Sequence, residues 1–193
     1  NAAGELGDTN AFAGAVATAI FDTISHAELL SGSTVTLNGA DANKNNIIVQ
    51  AETVNEMWSA ATIISLTNFK DLLSSSTARD GNSVGGGISF QYADVDTIAN
   101  IGQNVKIQKG PSGAEGDLSV IAKENGNYIN LAIGSGNADK SGYAGGVAVT
   151  VLNGGETKSG VKASDENNSI HAKNLNVKAS KADTFVNSVI AYA

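Results

Sequence analysis

A six-residue phrase returns three times at long spacing in this chain. It reads IIVQAE over Ile47–Glu52, LSVIAK over Leu118–Lys123 and LNVKAS over Leu175–Ser180. Aligned on the alanine, Ile47, Leu118 and Leu175 coincide, as do Val49, Val120 and Val177, and Ala51, Ala122 and Ala179. The residues between, Ile48, Gln50, Ser119, Ile121, Asn176 and Lys178, are mostly polar. Period-two alternation puts one face in a core and the other in water, so each phrase predicts a strand. A unit that recurs at long spacing and cannot bury its apolar face alone predicts copies stacked on one another.

The likeness extends around the phrase. A small-residue run precedes each copy: Gly14–Leu29, Gly85–Ala99 and Gly145–Val161. A short polar-bounded strand follows it, at Ser33–Gly39, Gln103–Gly110 and Asn168–Asn174, and then the phrase. A last strand closes each unit, at Ala61–Leu66, Ile129–Gly136 and Asn187–Ala193. The units run over 14–66, 85–136 and 145–193, and we read 1–193 as one body. Thr67–Val84, Gly136–Ala144 and Thr53–Ala60 interrupt the pattern as insertions. Thr53 with Glu56 fits a capping box, and Asn68 can cap a helical turn through Phe69, Leu72 and Leu73. Phe12, Val16 and Ile20 have helical spacing. Alignment of their run with GGVAVTVLN, whose paired glycines and β-branched residues disfavour helix, predicts strand instead.

Short strands and recurrent Asn beside strand ends (Asn38, Asn46, Asn104, Asn168, Asn174, Asn187) favour a parallel β-helix, or solenoid, over a sandwich. In such a coil, turns stack and Asn side chains bond along the ladder. At roughly 20 to 25 residues per rung the chain gives about eight or nine rungs, a body about 40 Å long. The fold expectation is all-β, with short helical or loop insertions. Val177→Asp is expected to unfold the third unit by placing a charge inside.

Composition sets the function classes. The net charge is −7, with one arginine, Arg79, and scattered lysines. That argues against nucleic acid, which needs clustered cations to displace phosphate counterions, and against anionic lipid. No run approaches the ~18 apolar residues of a membrane span. There is no cysteine, which excludes disulfides and thiol chemistry and mildly favours an exported protein. The chain starts without Met and ends on SVIAYA, so we expect a piece of something longer.

The residues GGVAVTVLNGGETKSGV, NNSIHAKNLNVKAS and TFVNSVIAYA resemble the recurring module of filamentous haemagglutinin-like adhesins, most closely the leukotoxin-family filamentous adhesins of anaerobic bacteria. The likeness is clearest over Gly145–Ala193, weaker over Gly85–Gly136 and faint over Gly14–Leu66. Trp58, the Thr67–Val84 segment, and Gln91 and Tyr92 depart from it. The resemblance implies a right-handed β-helix in an exported passenger, secreted or at the bacterial surface. Such proteins bind host cells or matrix, or damage leukocytes.

The search for chemistry is thin. His26 and His171 are the only histidines, and each reads as a surface or turn residue rather than part of a triad. Asp94 and Asp96 share a strand face and could do acid–base work or hold calcium, but no calcium-binding loop motif accompanies them and a solvated strand face explains them better. The run Gly85–Gly87 lacks the Lys-Ser/Thr of a phosphate loop and fits close strand packing. No catalytic, cofactor or metal residue is named. Candidate partner contacts are Met57 and Trp58, an apolar pair in an insertion, with Phe69 and Arg79. The expectation is a non-catalytic adhesin or leukotoxin segment. Its expected partners are a host surface or matrix component and neighbouring rungs of the same parent chain. The alternative is a carbohydrate-active β-helix enzyme, a polysaccharide lyase or hydrolase.

Overall fold

The computed structural model describes residues 10–39, 45–62, 77–78, 81–113, 115–138, 140–153, 155–162 and 169–192. These are strands and turns. No described residue is helical, so no helix among them is long and apolar enough to cross a membrane. In chain order the strands are β1 (Asn10–Leu29), β2 (Thr34–Leu37), β3 (Ile47–Thr62), β4 (Thr77–Ala78), β5 (Asn82–Ile101) and β6 (Lys106–Lys109). They continue as β7 (Leu118–Ser135), β8 (Asn137–Ala138), β9 (Ser141–Leu152), β10 (Thr157–Val161), β11 (Ser169–Ile170) and β12 (Leu175–Tyr192).

Every strand pair is parallel, and the chain visits three sheets in the same order three times. β5 lies between β1 and the pair β9 and β10, β6 between β2 and β11, and β7 between β3 and β12; β4 and β8 form a small fourth pair. The registers join the recurrent phrases residue for residue: Ile47 to Leu118 to Leu175, Val49 to Val120 to Val177, and Ala51 to Ala122 to Ala179. The small-residue runs align Gly14 with Gly86 and Gly145.

The repeat has the spacing that the recurrent phrases give, but one whole repeat makes a single pass, far longer than the rung of roughly 20 to 25 residues expected. Partners in the first two passes lie 72 residues apart in β1–β5, since Asn10 pairs with Asn82. The phrase and the last strand of each unit merge into single strands, β3, β7 and β12, of 16 to 18 residues, well beyond the usual ~3–10. The described chain makes three broad passes instead of eight or nine small rungs. A 20-residue strand spans about 65 Å, while neighbouring passes lie only about 4.8 Å apart.

Thr53–Ala60 is the middle of β3, where the sequence predicts an insertion and a capping box. Its residues alternate buried and exposed in register with Glu124–Leu131. The cap at Asn68 and the turn through Phe69, Leu72 and Leu73 lie outside the described residues.

The core tapers across the strands. Beside the β2–β6–β11 sheet it is wide and aliphatic, built from Ile101, Val105, Ile107, Leu118 and Val120, all fully buried. Midway, Met57, Val95 and Tyr128 fill it, beside hydroxyl pairs that cross between the long sheets. Thr97 donates to Thr53 at 2.7 Å, and the Ser59 and Ser89 hydroxyls lie 2.7 Å apart. Gln91, where the sequence leads one to expect a small aliphatic, is buried and donates to the Ile129 carbonyl at 2.7 Å. At the narrow end Ala15 meets Ala61, and glycine takes over. A Cβ on Gly87 would lie 2.7 Å from the Ile133 carbonyl oxygen, so only hydrogen fits between the sheets.

Turns stack as the strands do. Gly32 and Asn104 occupy equivalent positions after β1 and β5, and both have positive φ, 79° and 55°. Asn tolerates this left-handed conformation better than most non-glycine residues. A polar row opens the third sheet: the Asp117 N–H donates to Asn46 Oδ1 at 3.0 Å, and Asn174 Nδ2 donates to Asp117 Oδ1 at 2.7 Å. Of the asparagines read as ladder residues, Asn187 lies within β12 rather than at its end. Asn168 lies outside the described residues.

Candidate binding surfaces

Side chains alternate along a strand, so each long sheet turns half its residues to solvent. From Ala51 inward, the period-two count places Met57 in the core and Trp58 outside. Met57 is buried and packs with Tyr128, whereas Trp58 is 71% exposed. The two therefore form no joint surface pair, which corrects the expectation for Met57. Phe69 and Arg79 lie outside the described residues.

Trp58 heads an outer row that continues through Ile129 and Val186. Beside it run Glu56, Asn127 and Thr184, and a shallow groove lies between the two rows. An indole wall against a carboxylate, an amide and a hydroxyl suits a ligand with an apolar face and a polar edge. Further along the same face Lys123 Nζ binds Glu52 Oε1 at 2.7 Å. That hydrogen bond and the lysine charge hold the Glu52 carboxyl below its ordinary range.

The outer face of the β1–β5–β9 sheet is more apolar. Phe12, Val84 and Tyr143 form one row, and Val16, Ile88 and Val147 form another four residues along. Gly14, Gly86 and Gly145 lie between them and leave a trough with a glycine floor. A row of Ile20, Tyr92 and Val151 continues the apolar surface. All of these large side chains but the half-buried Tyr92 are exposed. This trough escapes sequence reading. Its signal is the parity of Gly14, Gly86 and Gly145, which becomes visible once the register is known.

One group of titratable side chains gathers around a buried carboxylate. Glu124 is fully buried and pairs with Lys181 at 2.7 Å, while Thr157 donates to its other oxygen at 2.5 Å. Lys181 also lies 3.5 Å from Asp183. Burial opposes charge on Lys181, but the bond to Glu124 and the charges of Glu124 and Asp183 outweigh it and raise its pKa. Burial raises the Asp183 carboxyl, Lys181 partly offsets this, and Glu124 adds repulsion. Burial likewise raises the Tyr128 phenol.

The histidines and the aspartate pair do not join this group. His26 is exposed on β1, 3.6 Å from Glu28, and His171 is exposed beyond β11. Asp94 accepts a bond from Asn153 at 2.9 Å, and Asp96 accepts one from the Glu156 N–H at 2.7 Å. Among the described residues no group of three or more His, Cys, Asp or Glu is placed to hold a metal ion.

No family model, no curated protein and no solved structure matches the chain.

Proposed function

We propose that this chain is a stretch of a right-handed parallel β-helix from a secreted or surface-exposed bacterial protein, acting as a non-catalytic rod that presents binding surfaces to a host cell or matrix component. The observation that carries this reading is the shared register of three passes, because a body built by adding equivalent passes extends without limit of design. Right-handedness is supported by the strong preference for right-handed crossovers between parallel strands of one sheet. Adhesion is supported by what faces outward: the Trp58 groove and the glycine-floored trough, with aromatic side chains of the kind that anchor interfaces. Neighbouring passes of a longer parent chain fit the same scheme as partners.

The enzyme alternative has one observation in its favour, the meeting of Glu124, Asp183 and Lys181. These face the interior between sheets, and Glu124 is spent on Lys181 and Thr157. The test is binding of the purified chain to host cells and to immobilised matrix proteins, with Trp58→Ala beside it. Binding weakened about tenfold or more by Trp58→Ala, with unchanged circular dichroism, supports adhesion. Release of unsaturated products from acidic polysaccharides would replace it with the lyase reading.

A further inference from the structure

The outer face of the β1–β5–β9 sheet is apolar over five consecutive rows, from the Phe12 row to the Ile20 row. Its polar side-chain groups are Thr18 and two tyrosine hydroxyls. This is no effect of a sheet edge. β5 has strands on both sides, yet Ile88 is 52% exposed and Val84 40%. Folded chains in water rarely leave so large a continuous apolar surface uncovered.

The order of the rows makes the face complementary to itself. The central row is Val16, Ile88 and Val147. Two residues to one side lie Gly14, Gly86 and Gly145; two to the other lie Thr18, Phe90 and Val149. Ser89 and Gln91 are fully buried, so Phe90 between them points outward. The space above the glycines is open. A Cβ on Gly145 would meet nothing within 4 Å, and one on Gly86 only the Gly145 oxygen at 3.6 Å. Six residues from the centre, Asp22 and Asp94 stand on one side, and the neutral Asn82 and Ser141 on the other.

We propose that two copies of this chain pair face to face through this sheet, about a two-fold axis parallel to the Val16–Ile88–Val147 row, with Phe90 of each copy filling the other's glycine trough at Gly86. The axis sets β5 over β5 and each row over the row equally far on the opposite side of the centre. Bulky side chains then meet glycine, Ile88 meets its own equivalent, and Asp94 faces the amide of Asn82 instead of a second acid. The rows cover roughly 40 Å along the strands and 14 Å across them, about 1,100 Å² for the pair, enough for a specific but weak contact. Its dissociation constant should be on the order of micromolar. The contact is isologous and closes at two copies. The axis runs in the direction in which passes stack, so each added pass lengthens the contact. The inference rests on the register and not on the adhesive reading. The inner faces of the two long sheets meet at Ser59 and Ser89, so the Trp58 groove lies on the opposite side and stays open.

Sedimentation of the purified chain should show a monomer–dimer equilibrium. Salt should strengthen it, since a charge of −7 on each copy opposes pairing. Gly86→Phe puts two rings in one hole, and Phe90→Ala leaves the hole empty. Each should weaken pairing about tenfold or more, with unchanged circular dichroism. Mixing these two variants should restore pairing, because each ring of the first then meets a vacant position on the second. Ile88→Glu sets two like charges against each other on the axis and should give monomer. A wild-type chain that stays monomeric at high concentration and salt, or a mixture that pairs no more tightly than its parts, overturns the proposal. A monomer that floats with phosphatidylcholine vesicles assigns the face to a lipid surface and overturns it equally. Trp58→Ala should leave the dimer unchanged, so a dimer that binds no host cell removes the adhesive reading alone.

Discussion

Tyr128 and Phe185 stack face to face across the second and third passes, with ring centroids 5.2 Å apart and planes 7° apart. They are register partners, and parallel strands hold equivalent side chains about 4.8 Å apart, so two aromatics in one row have little choice but to stack. Met57 completes the row on the first pass. Tyr128 is enclosed on both sides, whereas Phe185 is 45% exposed. Tyr128→Ala should cost roughly 3–5 kcal/mol and Phe185→Ala about 1–2, read from urea unfolding midpoints. Equal costs would mean that Phe185 is covered as fully as Tyr128.

Val120 and Val177 separate the buried row from its open end. Val120 is inaccessible to solvent, whereas Val177 is 43% exposed. The sequence alone predicts that Val177→Asp unfolds the third pass. The structure moves that severity to Val120→Asp, which buries an unpaired charge and should abolish cooperative folding. Val177→Asp should fold and lose about 1–2 kcal/mol, because water still reaches the new carboxylate. Thermal melts of the two variants decide the order.

Gly86 and Gly87 are adjacent and opposite. Gly87 faces the other sheet, where a methyl group would meet the carbonyl oxygens of Ile133 at 2.7 Å and Ala61 at 2.9 Å. Gly86 faces outward, with Gly145 O as its nearest neighbour at 3.6 Å. Gly87→Ala should destabilise by roughly 1–3 kcal/mol, and Gly86→Ala should be neutral or slightly stabilising. A reversal would place the strand in the opposite phase.

Lys181 and Asp183 give opposite pH signatures. The raised Lys181 pKa means that the pair with Glu124 stabilises the fold below the ordinary lysine value of 10.5, and this is lost as pH rises through the folded value. Lys181→Met leaves Glu124 buried without its counter-charge. It should cost about 2–3 kcal/mol at pH 7, less than in a fully enclosed pair because Lys181 is one-third exposed. The raised Asp183 pKa works the other way. The folded state holds its proton more tightly than the unfolded state, so wild-type stability recovers as pH falls through the folded value towards 3.8. Asp183→Asn should therefore be the more stable protein at pH 7 and lose that advantage below pH 3.8. Paired denaturation curves at the two pH values check the sign.

The sequence made the rows legible because the phrases keep clean alternation where the core is widest. The Ile47, Leu118 and Leu175 row sits beside the aliphatic end, where apolar residues must alternate with polar ones. Further along the same strands the interior narrows and admits Thr53, Asn55, Ser59, Glu124 and Asn130. Hydrophobicity then no longer marks the inward face, so Thr53–Ala60 reads as an interruption and one long strand reads as two. The rung length is misjudged for the same reason, although the spacing between copies is read correctly. Trp58 was recoverable, since counting by twos from Ala51 turns it outward and Met57 inward. The glycine trough was not, because it exists only when three distant glycines share a row.

Nuclear Overhauser contacts between alanine methyl groups test the shared register most directly. In protein labelled at the alanine methyls, Ala51 and Ala122 should show a cross-peak, as should Ala122 and Ala179, each pair being register partners about 4.8 Å apart. Ala51 and Ala179, two spacings apart, should show a much weaker one or none in monomer. Cross-peaks joining Ala122 to Ala182 instead, or none between the three passes, would contradict the stacking from which every other statement follows.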